Sequence, residues 1–231
     1  MSVAYNSSIV TSGLGLCLDA GNPRSYPGSG TNWYDVSGNN LTSTGSSGLT
    51  ATSLSSGAAW STASTSLLNT DTHSVFFTLK LNPSVTYPNG TTGSWEMIFQ
   101  YAPSGTDRSP GVWRYPSERY IHWRYDPNNS GADFGQTSLN TGVGGTQFAL
   151  STWFYIGVTK NGATATSYVN GVSLGTSTVS SPKTAGNAAI TLFPYYTSGL
   201  AELGCVHVYN TVLTASQVAQ NFNALRGRYG I

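Results

Sequence analysis

The sequence predicts an all-β domain, a two-sheet antiparallel β-sandwich closed by one short C-terminal helix. Three observations predict it. Charged residues are only 8% of the 231 while aromatics reach 12%, enough large apolar side chains to fill a core. Apolar and β-branched runs of four to eight residues recur between clusters of Gly, Pro, Asn and Ser, which is the pattern of strands and turns. Helical periodicity is confined to the final stretch, LTASQVAQNFNALRGRYGI.

Taken in order, the runs place strands at Leu14–Asp19, Val75–Leu81, Ser94–Tyr101, Val112–Tyr115 and Tyr120–Tyr125. Further strands are predicted at Trp153–Thr159, Thr164–Val169, Val172–Gly175, Ala188–Phe193 and Leu200–Tyr209. Many short strands at this spacing imply two packed sheets. The segment WFYIGVTKNGATATSYVNGVSLG carries Asn161-Gly162 and Asn170-Gly171. Each pair supplies two residues that tolerate positive φ, so each predicts a type I′ turn, and together they make a three-stranded meander. Residues 37–66 are rich in Ser, Thr and Gly but hold spaced Leu and Trp60, as loops and edge strands would.

At the C-terminus, Thr214 and Gln217 fit a capping box, and Val218, Phe222 and Leu225 form an apolar stripe at i, i+4 and i+7. Arg226 and Arg228 suit the negative end of that helix, and Gly227 or Gly230 can stop it. The helix is expected over about 214–226, with its stripe on the sandwich. No linker divides the chain, so residues 13–231 form one domain. Met1 to Ser12 has no core pattern and reads as an N-terminal arm able to attach to a particle or a neighbouring subunit.

Composition also excludes functions. The formal net charge of +1 offers no general attraction to nucleic acid or anionic lipid. No stretch is apolar enough for a helix to insert into a membrane. The N-terminus lacks the basic start and apolar run of a secretory signal, so synthesis in the cytoplasm is expected. Cys17 and Cys205 sit in apolar runs with no CxxC spacing; reduced, buried thiols are expected rather than zinc or redox chemistry.

Three segments together, LDAGNPRSYPGSGTNWYDVSGNN, the Asn-Gly meander, and LAELGCVHVYNTVLTASQVAQNFNALRGRYG, resemble laminin-G-like, concanavalin-A-like jelly-roll domains. They are most similar to the version found in virion proteins of tailed bacteriophages. The resemblance runs from about Gly13 to Gly230, carried by strand pattern alone over residues 37–150. It implies a jelly roll and a virion setting, on a capsid, baseplate or tail fibre. It supplies no ligand, because this fold carries many unrelated functions.

Glycan hydrolysis on such a fold needs two carboxylates roughly 5–10 Å apart. The three glutamates, Glu96, Glu118 and Glu202, have no acidic neighbour at the two- or four-residue spacing that shares a strand face. There is no G-x-S-x-G elbow, and His73, His122 and His207 lack metalloprotease spacing. GSG and Gly142–Gly145 read as turns, since no helix follows to cradle a phosphate. The chain is therefore expected not to be an enzyme and to need no cofactor, calcium excepted. Asp35-Val36-Ser37-Gly38-Asn39-Asn40, with Asp19 near it, offers hard oxygens for Ca²⁺ through Asp19, Asp35 and Asn39. The alternative is an Asx-turn in which Asp35 bonds its own backbone. Asp126 to Asp133 is a second oxygen-rich loop.

The densest polar cluster is RSPGVWRYPSERYIHWRYDP, with four of the seven arginines among aromatics. Strand alternation puts Ile121, Trp123 and Tyr125 on one face and Tyr120, His122 and Arg124 on the other. Arg114, Tyr115, Arg119, Tyr120, His122, Trp123, Arg124 and Tyr125 are the candidate glycan or interface residues. Tyr, Trp and Arg serve sugar stacking and protein interfaces alike, and core aromatics capped by Arg are a third reading. The functional expectation is a non-enzymatic virion surface protein, a capsid decoration or tail-fibre domain. Its partners would be other virion proteins and copies of itself, with weak contact to host-surface glycan. A dedicated receptor-binding lectin is the alternative, and a glycan-degrading enzyme the third.

Overall fold

The computed structural model describes residues 8–83, 95–103, 108–115, 118–126, 147–179, 186–194 and 199–231. In chain order the strands are β1 (Leu14–Asp19), β2 (Asn32–Trp33), β3 (Ser43–Gly45), β4 (Leu54–Ser55), β5 (Trp60–Thr65), β6 (Thr72–Leu81) and β7 (Glu96–Tyr101). They continue with β8 (Arg108–Arg114), β9 (Ile121–Asp126), β10 (Trp153–Asn161), β11 (Thr164–Val169), β12 (Val172–Thr178), β13 (Ala188–Leu192) and β14 (Ala201–Tyr209), followed by helix α1 (Ala215–Tyr229).

These strands form two antiparallel sheets packed as a sandwich. Sheet A runs β1-β14-β6-β10-β11-β12, with β4 also pairing β14; sheet B runs β2-β3-β5-β13-β7-β8-β9. Alternation decides what lies between them. From sheet A, Leu16, Leu18, Val75, Phe77, Leu79, Ile156, Val158, Val206 and Val208 point inward; Trp33, Trp60, Phe99, Val112, Trp123, Ile190 and Leu192 meet them from sheet B. Phe77 and Trp123 stack across the gap, ring centroids 5.6 Å apart and nearly parallel.

A second, smaller core lies on the outer face of sheet A. Phe76, Tyr155, Tyr168, Cys205 and Tyr209 pack there against Val218 and Leu225 of the helix, with Val10 and Leu213 completing the cluster. The predicted capping box is present, Thr214 and Gln217 exchanging side-chain and backbone bonds, and Gly230 in the left-handed region closes the helix after Tyr229. The helix thus runs a turn beyond the predicted 226, and Gly227 lies within it. The described part of the N-terminal arm is docked on its own domain: Val10 N–H donates to Asn221 Oδ1 at 2.8 Å, and Tyr209 Oη–H donates to Val10 O at 3.0 Å. Residues 1–7 lie outside the described residues.

The meander forms, with one correction. At Asn170-Gly171 both central residues have positive φ, 48° and 81°, as a type I′ turn demands. Gly171 also has to be small, because a Cβ there would stand 3.1 Å from Phe222 of the helix. The first turn is shifted by one residue. Asn161 still pairs with Thr164, so the central residues are Gly162 and Ala163, and only Gly162 has positive φ. That matches a II′ turn, with glycine leading. The cause is β6, which pairs with β10 out to Thr72↔Asn161 and prolongs the strand.

Cys17 and Cys205 are free and buried. They sit diagonally on neighbouring strands, Cys17 opposite His207 and Cys205 opposite Asp19. Burial pushes both thiols up, Cys205 to about 12, so neither is a thiolate at neutral pH.

Candidate functional site

Strands β8 and β9 carry five of the eight sequence-predicted glycan or interface residues, and their register sorts them by face. Val112 pairs with Trp123, Trp113 with His122, and Arg114 with Ile121. Trp123 and Tyr125 therefore point into the core, where both are buried. Burial pushes the Tyr125 hydroxyl up, and it lies 3.2 Å from His73 Nε2. Neither ring can stack on a ligand without opening the sandwich, which corrects their assignment to an exposed surface.

Arg114 is interior too. Its register places it beside Glu96 on β7, both side chains are fully buried, and Arg114 Nη1 lies 3.7 Å from Glu96 Oε2. The same nitrogen donates to Leu200 O at 3.1 Å. Burial lowers Arg114 to about 10, with Glu96 pulling it back up, so the guanidinium stays charged at neutral pH. Desolvation offsets much of the attraction in a buried pair of this kind, so it adds little net stability. Arg119 ties the β8–β9 connection to the segment after it: Arg119 Nε donates to Phe148 O at 2.8 Å and its backbone N–H to Gln147 Oε1 at 3.2 Å. Tyr120 is half-buried, and its carbonyl accepts from Tyr115 N–H at 3.0 Å.

The outer face of the same strands gathers the remainder. Trp95, just before β7, sets its indole edge-on to Tyr115 with centroids 4.6 Å apart. It also tilts over His122 at 4.9 Å, and Trp113 meets His122 edge-on at 6.2 Å. Trp113 and His122 are buried, Tyr115 and Arg124 are half-buried, and Trp95 is 38% exposed. The result is an indole-and-phenol shelf on a histidine floor, with the guanidinium-bearing Arg124 one row away on β9. Such a shelf can stack on the C–H face of a sugar or seat an apolar side chain of a partner.

Sequence reasoning found Tyr115, His122 and Arg124 of this group but not Trp95. The only signal was an aromatic at the second position of the predicted strand Ser94–Tyr101, where a core residue is the ordinary reading. Side-chain positions of residues 127–133 and 142–145, the second oxygen-rich loop and the GVGG stretch, lie outside the described residues.

The calcium candidates are engaged otherwise. Asp35 Oδ1 accepts from the backbone N–H groups of Cys17 and Ser37, each at 2.9 Å, and Oδ2 from Leu41 N–H at 3.1 Å and Ser37 Oγ–H at 2.8 Å. That is the Asx-turn alternative. Asn39 turns its amide nitrogen inward, donating to Leu14 O and Gly15 O at 3.1 and 3.2 Å. Asp19 pairs with Arg228 of the helix and accepts from Gly21 N–H. Four hydrogens converge on Asp35, where a cation would need bare oxygens, so these residues do not fit Ca²⁺. Among the described residues no cluster of three or more His, Cys, Asp or Glu is placed to hold a metal.

The carboxylates of Glu202 and Asp71 are engaged as well. Glu202 meets Lys80 Nζ at 3.0 Å and accepts from Ser53 Oγ–H at 2.6 Å and from Asn82. Burial pushes its carboxyl up, but the bonds from Ser53, Lys80 and Asn82 outweigh that and hold it below the usual range. Asp71 meets the buried Lys160 Nζ at 2.7 Å.

With this geometry in view, the sequence matches over residues 55–219 a family described as the concanavalin A-like lectin/glucanases superfamily. The chain belongs to that superfamily. Among solved structures this jelly roll is similar to Trypanosoma rangeli sialidase, at 14% identity and a TM-score of 0.66, covering 94% of this chain and 33% of the sialidase. It is similar at 14% identity and a TM-score of 0.65 to the botulinum neurotoxin serotype D binding domain, covering 92% of this chain and 52% of that one. A botulinum neurotoxin type C structure, from a protein whose cell entry depends on interaction with two ganglioside molecules, matches at 13% identity and a TM-score of 0.63, over 94% of this chain and 52% of the toxin chain. The jelly roll thus spans a third to a half of these proteins, and the likeness is one of fold. No curated protein sequence matches the chain.

Proposed function

We propose that the protein is a non-enzymatic surface protein of a tailed-phage virion that contacts host glycan through the outer face of β7–β9. The observation that carries the glycan part is the Trp95–Tyr115 shelf, an exposed indole braced edge-on by a phenol above buried His122. An indole held rigid by neighbours presents apolar area at little entropic cost. A superfamily that includes lectins, and a fold shared with a sialidase and a ganglioside-dependent toxin, support testing sugars first. The resemblance of both ends of the domain to virion proteins of tailed phages supports the virion setting, in which other virion proteins and further copies of the chain are the docking partners.

The non-enzymatic reading is supported by the state of the acids. A general acid needs a raised pKa near the scissile bond, whereas Glu202 is held low and Glu96 is sealed beside Arg114. The test has two arms. On a glycan array and against host polysaccharide, Trp95→Ala is expected to weaken binding at least tenfold, the scale of losing an aromatic anchor. Unchanged binding overturns the glycan reading, and turnover of the polysaccharide overturns the non-enzymatic one. Absence of the protein from purified virions overturns the virion setting.

A further inference from the structure

The outer face of sheet A carries a second aromatic cleft, away from Trp95, where the last turn of α1 meets β6 and β10. A cross-strand row, Glu202–Lys80–Trp153, runs over β14, β6 and β10. Lys80 Nζ stands 4.9 Å from the centre of the Trp153 ring, and Tyr229 of the helix tilts against that ring, centroids 5.0 Å apart at 58°. Trp153, Tyr229, Arg228, Gly21, Ala51 and Thr52 enclose a cleft of about 290 Å³.

Two glycines shape it. A Cβ on Gly204 would stand 2.4 Å from Tyr229 Cε1, so glycine there lets the phenol settle on the sheet. A Cβ on Gly21 would stand 3.0 Å from Arg228 Cδ, so glycine there lets the arginine stem lie along the wall. The Arg228 guanidinium reaches Asp19 through Nη1 while its side chain remains 43% exposed, which leaves donors facing solvent.

We propose that this cleft binds a single neutral pyranose unit. Its volume is at the small end of ligand sites, about 300 Å³ upward, which excludes an extended chain inside it. Its surface combines an indole and a phenol for a C–H face with the Arg228 guanidinium and the Thr52 hydroxyl for sugar oxygens. Its charge is balanced: Lys80 is paired with Glu202 and Arg228 with Asp19. An acidic sugar would find both cations already neutralised and a carboxylate behind each. The site is independent of the Trp95 shelf and would give the domain two sugar contacts on opposite faces.

The experiment is a titration of the full chain with neutral methyl hexopyranosides, followed by the indole N–H signals in NMR. Wild type, Trp95→Ala and Thr52→Phe, which fills the cleft from its exposed rim, are compared. The Trp153 signal, assigned with Trp153→Phe, is expected to shift saturably in wild type and equally in Trp95→Ala, and the affinity to fall at least tenfold in Thr52→Phe. A Trp153 signal unmoved by every neutral sugar overturns the proposal. So does a shift given only by acidic sugars, or one that survives Thr52→Phe. Loss of glycan-array binding in Thr52→Phe with none in Trp95→Ala supports this cleft and sinks the Trp95 reading; the reverse pattern does the opposite.

Discussion

The outer face of sheet A turns Phe76, Tyr155, Tyr168 and Tyr209 against a helix, whereas the outer face of sheet B holds Trp95 out to solvent above His122. Both faces are aromatic, and both follow from the same period-two alternation. What separates them is cover. Thr214 and Gln217 start a helix whose Val218 and Leu225 close sheet A, and Asn221 reaches back to tie Val10 and Tyr209 together. An aromatic face is therefore a core when an element is supplied to cover it, and a recognition surface when a rigid ring is left at its rim.

The sharpest way to break this contrast lies between the sheets. Trp123 sits at the centre of the sandwich and stacks on Phe77, so Trp123→Ala is expected to cost about 3–5 kcal/mol of stability, the range for emptying a buried aromatic site. Urea unfolding reads it directly. A loss under about 1 kcal/mol would mean that Trp123 belongs to an exposed face after all.

That residue also marks how far the sequence could be read. Its strand and its grouping with Ile121 and Tyr125 on one face follow from alternation, while the meander follows from the Asn-Gly pairs and the capping box from Thr214 and Gln217. Alternation does not say which face is covered, because cover comes from elements far away in sequence. Arg114 shows the same limit more strongly. An arginine at an inward position contradicts the hydrophobic pattern and makes sense only once Glu96 is paired beside it and Leu200 O lies in reach. Trp95 was illegible for the converse reason, since nothing local distinguishes a rim indole from a buried one. The acidic turn at Asp35 was legible as chemistry but ambiguous in use, and the backbone N–H groups of Cys17 and Leu41, brought in from outside the turn, decide it.

The covered face carries a titration. His207 is buried between Tyr155 and Tyr209, and Nδ1 has no hydrogen-bond partner among the described residues. Burial lowers its pKa from 6.5 to about 4; Asp19 opposes that shift and Arg228 adds to it. Because the folded value lies below the unfolded one, the unfolded chain takes up the proton first. The contribution is full above pH 6.5 and is lost as pH falls toward 4, amounting to about 3 kcal/mol over that window. Unfolding free energies measured from pH 7.5 to 4 are expected to decline more steeply for wild type than for His207→Gln. Equal slopes would mean that the helix does not seal this face.

Asn221 tests the seal from the helix side. It is buried, accepts from Val10 N–H and donates to Tyr209 Oη at 2.9 Å. Asn221→Ala leaves the buried Val10 N–H unpaired and takes from Tyr209 Oη the donor it accepts from, and is expected to cost about 2 kcal/mol. Amide exchange at Val10 should quicken by more than the global loss of stability explains, since the arm is released before the sandwich opens. Exchange that tracks global unfolding alone would show the arm to be part of the main core.

The smallest stability effect is expected at Trp95, and its smallness is the point. Trp95 contributes ring contacts to Tyr115 and His122 but keeps 38% of its surface in water, and it belongs to neither core cluster. Trp95→Ala should therefore shift the unfolding free energy by no more than about 0.5 kcal/mol, as for a surface substitution. A cost like that of Trp123 would show the shelf to be a third core, held in place for packing. A near-neutral change, together with the loss of glycan binding expected above, would separate the two tryptophans by function although they lie on opposite faces of one small sheet.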